Sequence, residues 1–152
     1  MPRRERHSQM TADSLNVESA AADGQQVYDG QPFPLLLVCR TADANLESAL
    51  SWLRAHRDDL DRQAGVHGAI LFRHFPIASA EDFDAFVAAL DYPNFPYEQS
   101  LSNAVRINRT ERVFTANEAP ADVTIYLHHE MAQTPIYPSK LLFFCEQPAA
   151  TG

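Results

Sequence analysis

Apolar and polar positions change rhythm along the chain. Up to about Gly30, large apolar side chains are sparse among Ser, Ala, Asp, Gln and Gly. Such a stretch buries too little surface to offset the entropy of ordering it, so residues 1–30 are expected to be a flexible amino-terminal tail. The run Leu35-Leu36-Leu37-Val38-Cys39 then predicts a strand. Leu46, Leu50, Leu53 and Leu60 keep helical spacing with Trp52 beside the stripe, which predicts a helix from about Ala44 to Gln63, capped by Asp43 and ended by Gly65. A strand from about Gly68 to Phe75 follows. Ser79 opens a second helix with Asp82 as its capping-box partner. Phe83, Phe86, Val87 and Leu90 form the buried face of that helix, and Pro93 and Pro96 stop it.

After Pro96 the rhythm shortens. Arg112-Val-Phe-Thr-Ala, Thr124-Ile-Tyr-Leu-His and Lys140-Leu-Leu-Phe-Phe-Cys read as strands between Pro-bearing loops, a texture that suggests a sandwich or barrel. The expected fold class is α+β, mainly β, with two outer helices.

The chain has 152 residues, the size of about one ordinary domain. Twenty acidic against 12 basic residues give a net charge of −8, which disfavours a phosphate-backbone binder, so no nucleic-acid partner is expected. Apolar runs such as Pro34–Cys39 and Ala69–Phe72 are far too short to span a bilayer, so no membrane partner is expected either. The start, Met-Pro-Arg-Arg-Glu-Arg-His, leads into no apolar segment of the kind a secretory signal needs. Cys39 and Cys145 each sit in an apolar run and read as buried thiols rather than a disulfide. Together these features suggest the cytoplasm.

One constellation carries candidate chemistry: Leu127-His128-His129-Glu130-Met131, at the end of a predicted strand. Strand side chains alternate faces, so His128 and Glu130 project together and His129 points away. An imidazole and a carboxylate on one face are two corners of a 2-His-1-carboxylate site, which leaves positions open on ferrous iron. A His-x-Glu pair is a weak signal by itself, but its rivals are weaker. The run from His129 starts like a zinc-protease helix, yet its fifth position is Gln133, and Pro135 follows closely. The two cysteines form no CxxC pair, no Gly-rich phosphate loop or serine nucleophile elbow occurs, and a cupin-type site wants His where Glu130 stands.

The surroundings of the pair sharpen the reading. Gly68-Ala-Ile-Leu-Phe-Arg-His-Phe-Pro, Ser79-Ala-Glu-Asp-Phe-Asp-Ala-Phe-Val-Ala-Ala-Leu, Val113-Phe-Thr-Ala-Asn-Glu-Ala-Pro, Ile125-Tyr-Leu-His-His-Glu-Met-Ala and the closing Pro138-Ser-Lys-Leu-Leu-Phe-Phe-Cys-Glu-Gln-Pro follow one another in order. Over about Phe33 to Gly152 the chain resembles taurine dioxygenase-like (TauD/TfdA) Fe(II)/2-oxoglutarate oxygenases, in the branch that is similar to the syringomycin-pathway hydroxylase.

The resemblance implies a jelly roll, here a partial double-stranded β-helix of clavaminate synthase-like type, over residues 31–152. It implies His128 and Glu130 as iron ligands, Fe(II) as cofactor and 2-oxoglutarate as co-substrate. Related halogenases carry a small residue at the carboxylate position, so Glu130 favours hydroxylation or desaturation. The expected partners are dioxygen and a small amino-acid-like or carrier-bound substrate. Candidate substrate contacts are Asn103 and Arg106, in the loop before the β region, and Thr124, four residues before His128 on the same strand face. Arg106 offers a bidentate fork for a carboxylate. The family's second histidine and its 2-oxoglutarate-binding arginine have no counterpart here. His7, His56, His67 and His74 all lie upstream and read as surface or packing residues. The chain is therefore expected to be the amino-terminal part of an enzyme roughly twice its length. The alternative is a catalytically incomplete fragment or a non-catalytic β-barrel binding module.

Overall fold

The computed structural model describes residues 15–95, 106–116, 118–120, 122–132, 134–148 and 150. The chain divides into two compact units, Met1–Pro76 and Ile77–Gly152.

The first unit is built on a three-stranded sheet of order β1-β4-β5, made by β1 (Val17–Ala20), β4 (Leu35–Cys39) and β5 (Ile70–Arg73). β1 runs antiparallel to β4 with Val17 opposite Cys39, and β4 runs parallel to β5 with Leu35 opposite Ile70. The parallel pair is joined by α1 (Leu46–His67), the crossover helix that parallel strands require. β4 is the middle strand, and Leu35, Leu36, Val38 and Cys39 are all buried, as expected of a strand covered on both faces. Leu50, Leu53 and Leu60 bury the α1 stripe, with Leu53 fully enclosed. Trp52 packs edge-on to Phe75 with centroids 5.7 Å apart and stacks on His56 at 4.4 Å.

A separate hairpin joins β2 (Gln26–Tyr28) to β3 (Gln31–Phe33). Its two-residue turn is Asp29-Gly30, both at positive φ, 50° and 79°. That is the geometry that matches the twist of flanking strands. The hairpin is tied to α1 where the His67 Nδ1 hydrogen bonds the Pro32 carbonyl at 2.8 Å.

Several expectations are corrected. Strands β1 and β2 fall inside the stretch that composition reads as tail. Val17 and Ala20 are partly covered, and pairing along the edge of β4 satisfies their backbone. The N-cap of α1 is Asn45, not Asp43. The residue three beyond Asn45 is Ser48, which completes a reciprocal box with contacts of 2.9 and 3.2 Å, whereas the residue three beyond Asp43 is Leu46. Gly65 does not end the helix. The chain continues to Gly68, whose φ of 73° makes the terminating turn.

The second unit contains α2 (Ala80–Ala89). Ser79 caps it by accepting from the Asp82 amide at 3.1 Å, while the Asp82 carboxylate takes the Ala78 amide rather than that of Ser79. Phe86 and Leu90 are buried, and Phe83 and Val87 half-buried. Phe83 stacks on Phe144 at 5.4 Å.

The three strands predicted after Pro96 do not form among the described residues. That region shows one isolated bridge, Asn108 to Phe114. A strand is stable only when a neighbour takes its amides and carbonyls. No described segment pairs with 124–128 or 140–145, and Tyr126, Leu127 and Phe143 stand 80, 105 and 77% exposed. Cys145 is accordingly exposed, against expectation, while Cys39 is buried; both thiols are free. Helical residues outnumber strand residues among those described, so the observed class is α+β but not mainly β.

Candidate functional site

The site is assembled within the second unit from a short hairpin-like loop and a turn. The loop runs from Arg106 to Ala116. It is closed by the Thr115 amide on the Ile107 carbonyl at 3.0 Å and the Arg109 amide on the Val113 carbonyl at 2.8 Å. Asp84 of α2 anchors its tip by accepting from the Thr110 hydroxyl at 2.7 Å and from the Arg112 guanidinium at 3.2 Å. At its base, the Arg106 guanidinium stacks over the Phe114 ring at 5.3 Å and donates through Nη1 to the carbonyls of Thr115 (3.3 Å) and Ala116.

The turn follows the His-x-Glu pair. Met131 adopts a left-handed conformation, φ 57°, with its side chain buried. Buried Thr134 clamps the turn: its amide donates to the Met131 carbonyl at 3.0 Å, and its hydroxyl lies between the carbonyls of Ile136 and Met131, at 2.6 and 2.9 Å. A non-glycine residue persists at positive φ only where its surroundings over-determine it. Here the buried Met131 side chain on one side and the Thr134 hydrogen bonds on the other supply that constraint, directly after Glu130.

His128 and Glu130 do not lie on a strand, yet their side chains meet. The His128 Nε2 is 3.8 Å from the Glu130 Oε2. The other polar atom of each is engaged elsewhere. The His128 Nδ1 is 2.7 Å from the Tyr126 carbonyl, a contact that requires the hydrogen on Nδ1 and, in the neutral ring, leaves the Nε2 lone pair free. The Glu130 Oε1 accepts from the Arg106 Nη2 at 2.9 Å, in an ion pair whose side chains are 12 and 20% exposed. One imidazole nitrogen and one carboxylate oxygen therefore approach each other to 3.8 Å. Two donors each about 2.1 Å from a shared divalent ion lie at most about 4.2 Å apart, and 3.8 Å is inside that limit. The donor set suits a divalent transition metal.

The other candidates are placed as follows. His129 turns away and sets its ring edge-on to Tyr137 at 5.5 Å. Thr124 is exposed, and with no strand the alternation that placed it beside His128 does not apply. Asn103 lies outside the described residues, as does His7. His56 and His67 are bonded to the carbonyls of Trp52 and Pro32, and His74 is exposed. Among the described residues no third His, Cys, Asp or Glu joins the pair, and no helix is long and apolar enough to cross a membrane. Sequence reasoning missed the Arg106–Glu130 pair, because 24 residues separate the partners and no spacing rule links them.

Comparison with known proteins adds to this geometry. The taurine catabolism dioxygenase TauD, TfdA family matches residues 26–152. The chain belongs to that family. A clavaminate synthase-like protein of Arabidopsis thaliana is 39% identical over 147 residues, which cover 93% of this chain and 44% of the relative. The dapdiamide synthesis protein DdaC of Enterobacter agglomerans is 30% identical over 126 residues, which cover 83% of this chain and 36% of the relative. The chain thus spans less than half the length of either relative. TauD/TfdA members are oxygenases that generally use Fe(II) and 2-oxoglutarate, and the family implies a jelly-roll fold.

Proposed function

We propose that this TauD/TfdA chain is part of an Fe(II)/2-oxoglutarate-dependent dioxygenase that hydroxylates a small amino-acid-like or carrier-bound substrate in the cytoplasm. The observation that carries the reading is the 3.8 Å approach of the His128 Nε2 to the Glu130 Oε2, with the second polar atom of each side chain already committed. On this reading His128 and Glu130 are two of three protein ligands to iron. Iron with 2-oxoglutarate and dioxygen supplies oxidative decarboxylation to succinate and oxidation of the substrate.

The chain's own residues do the positioning. The Tyr126 carbonyl fixes the tautomer of His128, and such outer partners orient a ligand and raise its basicity. The Met131 turn sets the direction of Glu130. Asn103 and Thr124 are kept as substrate-side candidates from their place in the sequence; Arg106 is assigned a different role below. Segments 112–116, 124–128 and 140–145 take up strand pairing in a complete jelly roll on this reading, which accounts for the exposed apolar side chains of the last two.

The test is turnover by the full-length protein. His128→Ala should lower iron-dependent succinate release by more than about a hundredfold, beyond the losses typical of residues behind the ligands. Turnover retained by that variant sinks the assignment. A second reading, a catalytically incomplete or non-catalytic binding module, is favoured by the lack of a third ligand among the described residues. Anaerobic Fe(II) titration of the 152-residue chain tests this second reading: a tight stoichiometric site contradicts an incomplete centre.

A further inference from the structure

The Arg106–Glu130 ion pair assigns a role that neither the sequence pattern nor the family match contains. We infer that Arg106 is a positioning residue that fixes the Glu130 carboxylate as a one-oxygen metal ligand, with Oε1 held by Arg106 and Oε2 presented beside the His128 Nε2. The inference rests on the reading of His128 and Glu130 as ligands and deepens it.

Three observations converge. First, the division of oxygens is explicit: Oε1 accepts from the Arg106 Nη2 at 2.9 Å and Oε2 faces the His128 Nε2 at 3.8 Å. An unrestrained carboxylate is free to rotate and to chelate through both oxygens; one whose Oε1 accepts a hydrogen bond from a fixed guanidinium is not. Second, the guanidinium is itself held. Its Nη1 donates to the carbonyls of Thr115 and Ala116, and its Cζ lies 5.3 Å from the centroid of the Phe114 ring. A flexible surface arginine would fix nothing, but this side chain is only 12% exposed and is bound at several points. Third, the loop that carries it is fastened to α2 by the Asp84 contacts to Thr110 and Arg112. A continuous set of contacts therefore runs from a helix to a candidate ligand oxygen. Ligating carboxylates are oriented by such outer hydrogen bonds, whose loss commonly costs tenfold to a hundredfold in metal affinity.

The sign of the effect separates positioning from charge. A cation beside a metal site repels the metal. If Arg106 acted only as a local positive charge, its removal would tighten metal binding. If it orients Glu130, its removal weakens binding although a repulsive charge has gone.

The experiment is anaerobic Co(II) titration of the full-length protein and its variants, read by calorimetry and by the visible absorption of the bound ion, with a thermal melt of each metal-free variant. Arg106→Gln is expected to bind Co(II) about 10–100-fold more weakly with an altered absorption band. Arg106→Lys, which returns one donor but not the fork, is expected to recover all but about threefold to tenfold of the loss. Unchanged or tighter binding by Arg106→Gln overturns the inference. If that variant fails to fold, Arg106→Lys decides: wild-type affinity and absorption in a folded protein overturn the inference, and intermediate affinity supports it. His128→Ala and Glu130→Ala are the controls for the underlying reading. Wild-type Co(II) affinity in both removes the metal site itself and the inference with it, an outcome distinct from failure of the arginine variants alone.

Discussion

Asp84 holds Arg112 by both its main chain and its side chain: Oδ1 accepts from the Arg112 amide at 3.2 Å and Oδ2 from its Nη1 at 3.2 Å. The same Oδ1 also takes the Thr110 hydroxyl. One carboxylate on α2 thus organises the tip of the loop whose base presents Arg106 to Glu130. Asp84→Ala removes an acceptor used by three donors, all of them half-buried groups that water replaces only in part. It should cost about 1–3 kcal/mol of stability, measured by denaturant unfolding. It should also weaken metal binding, because the loop that seats Arg106 loses its anchor. A variant as stable as the wild type would show that the Asp84 contacts contribute nothing net.

Two glycines near the end of α1 should respond with opposite sign to the same substitution. At Gly68, φ is +73° and an added Cβ would meet the Phe33 ring at 3.2 and 3.3 Å. Gly68→Ala therefore combines backbone strain with a close contact and should destabilise by about 1–2 kcal/mol. Gly65 lies inside the helix with nothing within 4 Å of an added Cβ. Gly65→Ala should stabilise by about 0.4–1 kcal/mol, since alanine loses less conformational freedom on folding. Thermal melts of the two variants, compared directly, check both signs.

The same helix end shows what the sequence could and could not disclose. Leu50, Leu53 and Leu60 announced the buried stripe of α1 through period alone, and Leu35–Cys39 announced β4, because burial of apolar area decides both. The helix ends at Gly68, whose positive φ makes the terminating turn, rather than at Gly65, while the tie from His67 to the Pro32 carbonyl 35 residues earlier follows from no local rule. Asp29-Gly30 is a legible hairpin signal set in a stretch whose composition reads as tail. The later apolar runs had the right residues for strands. Strand formation, however, is a property of pairs, and no described segment supplies the partner for 124–128 or 140–145. At the site, His128 and Glu130 were readable as a pair. The reasoning from alternation does not hold, since the turn at Met131, not a strand pleat, accompanies their approach. The sequence offers Arg106 as a fork for a carboxylate, and in the structure it donates to a carboxylate of the chain itself, that of Glu130.

The exposed apolar run has a measurable consequence. Tyr126, Leu127 and Phe143 present large apolar side chains to solvent at 80, 105 and 77% exposure. Unpaired apolar segments with free backbone groups attract other chains. The 152-residue chain on its own should bind a hydrophobic dye and self-associate as concentration rises. Leu127→Ser with Phe143→Ser should reduce both signals without lowering the melting temperature, because neither side chain is buried. A monodisperse chain that ignores the dye would mean that these residues are covered in solution.

Met131 sets two effects against each other. Its φ of 57° is strained for a side-chain-bearing residue, so Met131→Gly relieves about 1 kcal/mol of backbone strain. The same substitution empties a position where the side chain is only 4% exposed, and truncating a buried methionine costs about 2–5 kcal/mol. The cavity term is larger, so the variant should be less stable by about 1–4 kcal/mol despite its easier backbone. Thr134→Val tests the other half of the clamp: it deletes the hydroxyl that contacts the Met131 carbonyl at 2.9 Å and should cost about 1–3 kcal/mol. In both variants Glu130 gains freedom next to His128. Co(II) affinity should therefore fall even at temperatures well below each variant's melt. Full affinity in a destabilised but folded Met131→Gly protein would show that the turn supports the fold without aiming the carboxylate.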